Sequence, residues 1–400
     1  MSVLLLWLAV AFVYIVGAAA PVGSRWRLII VSAILIAIAC AAPFLLPVYR
    51  ISQLARFWAL GIALLGLNIV SGYGGQLSLG QGAFMLMGAY TFAVLTDRVE
   101  QLGQVDSHPW PFWAALVMAG LVACAAGVVL GALALRWRGV FLALGTFSAA
   151  IALPHILLRY DNFSGGARGL RFGATPPPPF LRGLLTQHEW IYFLGLVSFL
   201  VTFYLCWNLV RGPWGKGLVG TRDSEVAARA IGIDVTRVKV EAFALSAALG
   251  GIAGGLYVIP LRFVMHETIE PLESIYLFLA LVVGGLGNLG AAIPAAALLT
   301  YLPTDLVRVV GQMPGLGVEL VSRAPGLIQG ALVILVLLLM PEGVMPTLQR
   351  LQAQYVAISL HRLPTAILPI RLLSAFIRKR MALANGPSLG RDVHEEVRDV

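Results

Sequence analysis

The chain has 400 residues, of which 59% are hydrophobic and 12% charged, with a formal net charge of +9. A soluble domain carries about 25% charged residues, so this composition excludes a single water-soluble globule and requires most apolar side chains to face lipid. The basic excess does not describe a nucleic-acid surface, because Lys and Arg sit in short segments between apolar runs and in the tail, with no aromatic-interleaved patch.

The apolar runs predict an all-α, polytopic membrane protein of about ten or eleven transmembrane helices. They lie near 3–20, 27–47, 55–71, 80–96, 112–135, 139–158, 189–211, 239–260, 274–287, 290–310 and 326–340. A spanning helix needs about 20 residues. The runs 55–71, 80–96, 274–287 and 326–340 fall short of that, which predicts tilted or broken helices. Ala18-Ala19-Ala20 looks like a signal cleavage site, but no Lys or Arg precedes the first run, so a retained helix is expected there. Cys40, Cys124 and Cys206 are far apart inside apolar runs, and His188-Glu189 and His266-Glu267 lack a second histidine four residues on. No metal site is expected.

The first segment with mechanistic content is Asn68 to Phe84. Five glycines fall within 72–82, beside Gln76, Ser78 and Gln81. Glycine weakens a helix by about 1 kcal/mol per residue relative to alanine. Non-helical polar backbone at membrane depth persists only where protein shields it or where it lines a water-filled cavity. Broken helices of this kind form solute sites in transporters. The segment Val283 to Gly290 repeats this chemistry, with clustered glycines and the single amide of Asn288. Asn68, Gln76, Ser78, Gln81 and Asn288 are therefore the candidate substrate-pathway residues.

Between these breaks, 159–188 contains Gly165-Gly166 and the run Pro176 to Pro179, which cannot continue a helix and is expected to rim the outer mouth. The loop Lys216 to Asp234 predicts a helix of about two turns, capped by Thr221 or Asp223 and stopped at Gly232. Val226, Ala227, Ala230 and Ile231 share one face of it. So short a helix is marginal alone, so a cytoplasmic partner is expected to dock there. The next run holds Gly250-Gly251 and Gly254-Gly255, and an earlier one holds Gly127 and Gly131, at the four-residue spacing of close helix contact. Beyond 345, Leu and Ile alternate with Arg378, Lys379 and Arg380, which suits a cytoplasmic helix against anionic lipid.

The positive-inside rule places the C-terminus in the cytoplasm and the N-terminus outside. Arg25, Arg27, Arg136, Arg138, the 212–238 loop and the tail then lie inside. Arg159, Arg168, Arg171 and Arg182 run against that rule.

Taken in order, Gly72-Tyr73-Gly74-Gly75-Gln76-Leu77-Ser78-Leu79-Gly80-Gln81-Gly82-Ala83-Phe84, then Gly88-Ala89-Tyr90, resemble the signature of branched-chain amino acid ABC-transporter permeases of the LivM type. Arg222-Asp223-Ser224-Glu225 through Ala228, Gly232 and Ile233 resemble it too, running on into Ala242-Phe243 and Gly254-Gly255-Leu256-Tyr257. So do Gly284 to Gly290 and the closing Met340-Pro341-Glu342-Gly343. The likeness divides the chain into an extra helix over 1–26, a permease core over 27–345 and a basic amphipathic tail over 346–400.

This resemblance implies an importer in the inner membrane, built from two permeases, two cytoplasmic ATPases and an extracytoplasmic solute-binding protein. It implies that the loop helix is a coupling helix, with Arg222, Asp223, Glu225, Ala227, Ala228 and Gly232 in the contact that couples to the ATPase. No cofactor is expected in this chain, because ATP belongs to the partners. Gly215-Lys216 is followed by Gly217 and lacks the upstream glycine of a phosphate-binding loop. The chain is accordingly expected not to be an enzyme. Gln81 stands where the family pattern most often has His, and permeases for urea and short amides share much of the pattern. The competing reading is an ion-coupled carrier, which would keep ionisable groups inside the membrane.

Overall fold

A computed structural model describes residues 37–96, 110–137, 139–173 and 183–311, positions 343–347, and isolated residues at 175, 177, 178, 181, 330, 331, 334 and 338. The helix expected over 3–20, the start of 27–47, most of 326–340 and nearly all of the tail lie outside the described residues. Ala39–Pro346 form one compact unit.

Within that unit the described helices follow one another in an antiparallel path. Helix α1 runs Val48–Leu67 and continues as a π-helical turn, Asn68–Tyr73. After the irregular stretch 74–80 come α2 (Gln81–Leu95), α3 (Phe112–Ala134) and α4 (Val140–Arg159). The long α5 (Gln187–Arg211) leads into the loop helices α6 (Pro213–Asp223) and α7 (Glu225–Ala230). Then follow α8 (Val235–Val258), α9 (Pro271–Gly284), a 3-10 turn at Leu289–Ala291 and α10 (Ala292–Gly311). The sheet content among the described residues is small: β1 (Leu170–Arg171) pairs antiparallel with β2 (Phe263–Val264).

Burial separates the helices into two classes. The apolar windows of α1 and α8 are 89% and 67% buried, while those of α3, α4 and α5 are only 28–33% buried. With mean hydropathies of 1.9–2.5, that second set exposes apolar surface that only lipid can cover. Helix α8 is the hub, packed against α3, α2 and α1, while α1 also packs against α5 and α10.

Two rows of glycine allow this closeness. On α8, a Cβ at Gly250 would meet Gln81 and Phe84, and one at Gly254 would overlap the Met85 backbone, so this row faces α2. Gly251 and Gly255 face α3, against Ala119 and Leu116. From the other side Gly127 meets Ala247 and Phe243, Gly131 meets Phe243 and Val240, and Gly88 meets Gly251. These are the paired glycines whose spacing predicted close packing.

Two sequence expectations need correction. The run read as 55–71 begins at Val48, so Arg50, Ser52, Gln53 and Arg56 belong to α1. The loop before α8 holds two helices: Pro213 opens α6 at its first position, and the turn that starts α7 is capped by Ser224, not by Thr221 or Asp223. Thr221 instead returns its hydroxyl to the Gly217 carbonyl within α6, at 2.9 Å.

Candidate functional site

Opposite ends of the bundle collect different segments. At one end lie the π-turn, the 284–290 break and the loop helices. At the other lie β1, β2 and the start of α5, where Phe172 N–H donates to the Arg262 carbonyl at 3.4 Å and Arg262 reaches Gln187 at 2.5 Å. Of the short runs, 80–96 and 274–287 are helices too short to span alone, Gln81–Leu95 and Pro271–Gly284. Gln81, the first residue of α2, donates to the carbonyls of Ala63 and Ser246. Ala63 stands ~15 Å of helical rise before the Tyr73 end of α1. The stretch 74–80 therefore climbs from the loop-helix end towards the middle of the bundle as irregular backbone, and α2 continues from there. Its upper end is pinned where Leu79 N–H donates to Thr146 Oγ1 at 2.9 Å and Gly82 N–H to Ser274 Oγ at 2.9 Å.

The two glycine breaks meet. The Asn68 side chain donates to the Asn288 carbonyl at 2.8 Å and accepts from Gly287 N–H at 2.9 Å. The pairing holds the 284–290 loop flush against Gly72, where any Cβ would overlap both the Asn68 amide and the Gly287 backbone. Gly285 and Gly287 have φ of 114° and 77°, which side-chain-bearing residues rarely adopt. The Asn288 side chain caps the 3-10 turn, accepting from Gly290 N–H at 2.9 Å.

The five sequence-predicted pathway residues thus divide by their partners. Asn68, Gln81 and Asn288 spend their amides inside the fold. Gln81 also accepts from Ser246 Oγ at 3.1 Å, which ties α1, α2 and α8 together in mid-bundle. Ser78 is buried in the irregular stretch. Gln76 is the exception. It is 9% exposed, and among the described residues both atoms of its amide are buried without a hydrogen-bond partner. The Ser71 hydroxyl of the π-turn shares that condition. Buried polar groups are almost always satisfied; Trp58, Tyr90, Trp190 and His266 also carry buried polar atoms without a hydrogen-bond partner among the described residues.

The loop helices are tied to the bundle at several points. Trp214 of α6 donates Nε1 to Glu241 of α8 at 2.8 Å, and Arg237 holds the other oxygen of that carboxylate at 2.7 Å. Glu225 of α7 pairs with Lys239 of α8 at 2.5 Å and with Arg229 at 3.7 Å. Arg222, at the end of α6, is partly exposed but reaches the π-turn. Its Nη1 donates to the Gly72 carbonyl at 3.1 Å, while its other nitrogens hold Asp223. It packs across Gly75 and lies beside Gly287, so one guanidinium touches both breaks.

Helix α7 ends in a Schellman turn, with Gly232 at φ 84°, Ile233 N–H donating to the Ala228 carbonyl at 3.0 Å and Gly232 N–H to that of Arg229 at 3.0 Å. Ala228 faces the fold and is buried. Val226 and Ile231, with Ala227 and Ala230 between them, point outward, at 81% and 77% exposure for the two larger residues.

The sequence reading missed a further polar group. The Arg56 guanidinium lies over the Tyr257 ring, 4.7 Å from its centroid, and donates to the Tyr257 hydroxyl. The signal was present, since Arg56 sits eight residues into the helix that opens at Val48, where the polar residues Arg50, Ser52 and Gln53 give way to an apolar run.

Comparison with known proteins bears on what this arrangement belongs to. Residues 49–337 match the model of the family described as branched-chain amino acid transport system, permease component. The high-affinity branched-chain amino acid transport system permease protein LivM of Salmonella typhimurium is 31% identical over 336 residues, which is 78% of this chain and 73% of that protein. LivM of Escherichia coli is 32% identical, over 70% of this chain and 66% of that protein. The autoinducer 2 import system permease protein LsrC of Shigella flexneri is 26% identical over 56% of this chain and 67% of its own length. No solved structure matches the chain. Because the matched residues take in both glycine breaks, the loop helices and everything from α1 through α10, the chain belongs to the branched-chain amino acid transport permeases, multi-pass inner-membrane components of ABC-type systems.

Proposed function

We propose that this chain is the membrane half of an importer for a small polar solute, with branched-chain amino acids as the leading class, driven by ATP hydrolysis in separate subunits docked on α7. In this reading the loop-helix end is cytoplasmic, the C-terminus lies on that side and the N-terminus outside. A second permease, identical or homologous, completes the pathway, two ATP-binding subunits sit on the loop helices, and an extracytoplasmic binding protein delivers solute. The resemblance of 212–234 to a coupling loop and the outward apolar face of α7 support the docking site: Val226 and Ile231 stand beyond the spans, so lipid does not account for their exposure.

The single observation that carries the proposal is the Arg222 bond to the Gly72 carbonyl. It runs from the loop that would touch the ATPase to the backbone that would open. When α6 shifts, the guanidinium pulls on the π-turn and on the 284–290 loop together, because Asn68 joins them. Gln76 and Ser78 lie in the moving stretch and are assigned to the path. Asn68, Gln81 and Asn288 are assigned to holding its walls. Asp223, Glu225, Ala227, Ala228 and Gly232 shape and present the docking helix.

An ion-coupled carrier remains the second reading, favoured by the ionisable groups around Arg56. Uptake of radiolabelled leucine by proteoliposomes holding the full assembly separates the two. The proposal expects uptake with ATP inside and no ion gradient, and its loss when ATP is replaced by a non-hydrolysable analogue. Uptake that ignored ATP and followed a sodium or proton gradient would reject it.

A further inference from the structure

Helices α3, α4 and α5 each turn an uncovered face away from the bundle, and those faces differ in chemistry. The exposed residues of α3 from Trp113 to Leu133 are all apolar. Those of α5 from Val197 to Trp207 are apolar or aromatic. Trp113 and Trp207 lie near the helix ends, where aromatic rings meet lipid headgroups. Both faces suit lipid. Helix α4 departs from this pattern. Ser148, Ala152, His155 and Arg159 are all exposed, and their 4-3-4 spacing puts them on one stripe of the helix. The stripe covers ~16 Å of helical rise, from the middle of α4 to its Arg159 end. Towards the loop-helix end the same side carries Leu144 and Phe141, both exposed.

Such a stripe is poorly suited to hydrocarbon. The Ser148 hydroxyl is satisfied by the Leu144 carbonyl at 2.9 Å. The His155 imidazole is only half satisfied. Its Nδ1 lies 2.9 Å from the Ile151 carbonyl, which can only accept, so that nitrogen donates and Nε2 is left for a partner outside the helix. Ionisable residues within a span face a bundle interior or a water-filled cavity, not lipid. Arg159, which runs against the positive-inside rule, extends the same stripe. Water against this side of α4 accounts for Ser148, His155 and Arg159 together. The far side of α4 belongs to the fold. Thr146 and Pro154 are buried there, and α4 packs against α2 and α9. Thr146 accepts from Leu79 N–H at 2.9 Å and packs against Gly80, at the upper end of the 74–80 break. Helix α4 therefore stands between the break and the stripe.

We propose that the stripe Ser148, Ala152, His155 and Arg159 lines the outer, water-filled half of the solute path, with His155 Nε2 accepting an N–H or O–H from the solute or from its water. The inference rests on the permease reading and deepens it. The second permease faces α4 across this water, Leu144 and Phe141 mark where the polar wall ends, and lipid covers the outward faces of α3 and α5.

The test uses the full assembly in proteoliposomes, with one cysteine added at a time. Each variant is treated with the water-soluble anionic reagent 2-sulfonatoethyl methanethiosulfonate, and the added position is read by peptide mass spectrometry. Ser148→Cys and Ala152→Cys should react more than about tenfold faster than Leu121→Cys on α3 and Val201→Cys on α5, because a sulfonate is costly in hydrocarbon. Treatment of Ala152→Cys should lower ATP-driven leucine uptake, and the same treatment of the two control variants should not. His155→Leu should cut uptake several-fold with the ATP-binding subunits still attached and the thermal midpoint no lower. His155→Gln, which keeps a donor and an acceptor, should retain most of the uptake, which a purely structural role for the histidine would not require. Reaction of Ser148→Cys and Ala152→Cys no faster than the controls would overturn the wet face. Cross-linking of those cysteines to the second permease on oxidation would then show a dry contact, and its absence a lipid face. Unchanged uptake in both His155→Leu and treated Ala152→Cys would overturn the path even if the reaction were fast. Absence of ATP-driven leucine uptake by the wild-type assembly would instead overturn the permease reading beneath it.

Discussion

Gln76 and Gln81 carry the same amide and lie in the same glycine-rich segment, yet their surroundings give them opposite consequences. Gln81 donates to two backbone carbonyls and accepts from Ser246, all inside the bundle. Gln81→Leu should therefore lower stability by roughly 1–3 kcal/mol, since it strands the Ser246 hydroxyl and removes bonds worth about 1 kcal/mol each. A fall in the thermal midpoint of the detergent-solubilised assembly would check this. Gln76 has no protein partner for its amide among the described residues, so Gln76→Ala should leave that midpoint nearly unchanged. Its expected effect is on transport, a loss of about tenfold or ~1.4 kcal/mol at the transition state, measured as initial leucine uptake with the ATP-binding subunits still attached. A large fall in midpoint with normal uptake would reverse the assignment. The sequence assigns both glutamines to the path, because the partners of Gln81 come from Ala63 and Ser246 on other helices and the distinction is tertiary.

At the scale of elements, periodicity and spacing carry far. Eight of the eleven runs read along the chain reappear as α1 to α5 and α8 to α10, the others lying wholly or largely outside the described residues, and the four-residue glycine pairs lie where α8 meets α2 and α3. The irregular stretch after Tyr73 follows from its glycines. Helix α6 was not legible in the same way. Gly215, Gly217 and Gly220 depress its intrinsic propensity, and only Pro213 at the first position advertises it. It forms because Trp214 anchors it to Glu241 and Leu218 is fully buried. Missing α6 also hid the contact of Arg222, which stays partly exposed yet reaches the Gly72 carbonyl from the end of α6. Arg222→Gln tests that contact. With the bond to the Gly72 carbonyl removed, the assembly should still hydrolyse ATP but move several-fold less leucine per ATP. Equal coupling ratios for Arg222→Gln and wild type would show that the bond transmits nothing.

For the whole molecule, the described bundle is a hub of α1, α2, α3 and α8 held close by glycine contacts, with two adjoining breaks at one end. Such packing deforms as units, not continuously, so motion is concentrated where the helices are interrupted. The sequence shows the interruptions but not that they touch, since Asn68 and Gly287 meet only in the folded chain. The central claim is that work done elsewhere enters through α7. Proline at position 227, in the middle of α7, would remove the Ala227 N–H that Ser224 accepts as cap and deform the docking face without touching the break, Gln76 or Arg56. The most direct measurement is leucine-stimulated ATP hydrolysis together with leucine uptake by proteoliposomes carrying the Ala227→Pro assembly. The account predicts that stimulation and uptake are both lost, either with the ATP-binding subunits released or with hydrolysis continuing at its unstimulated rate. Wild-type stimulation and wild-type uptake in that variant would contradict it.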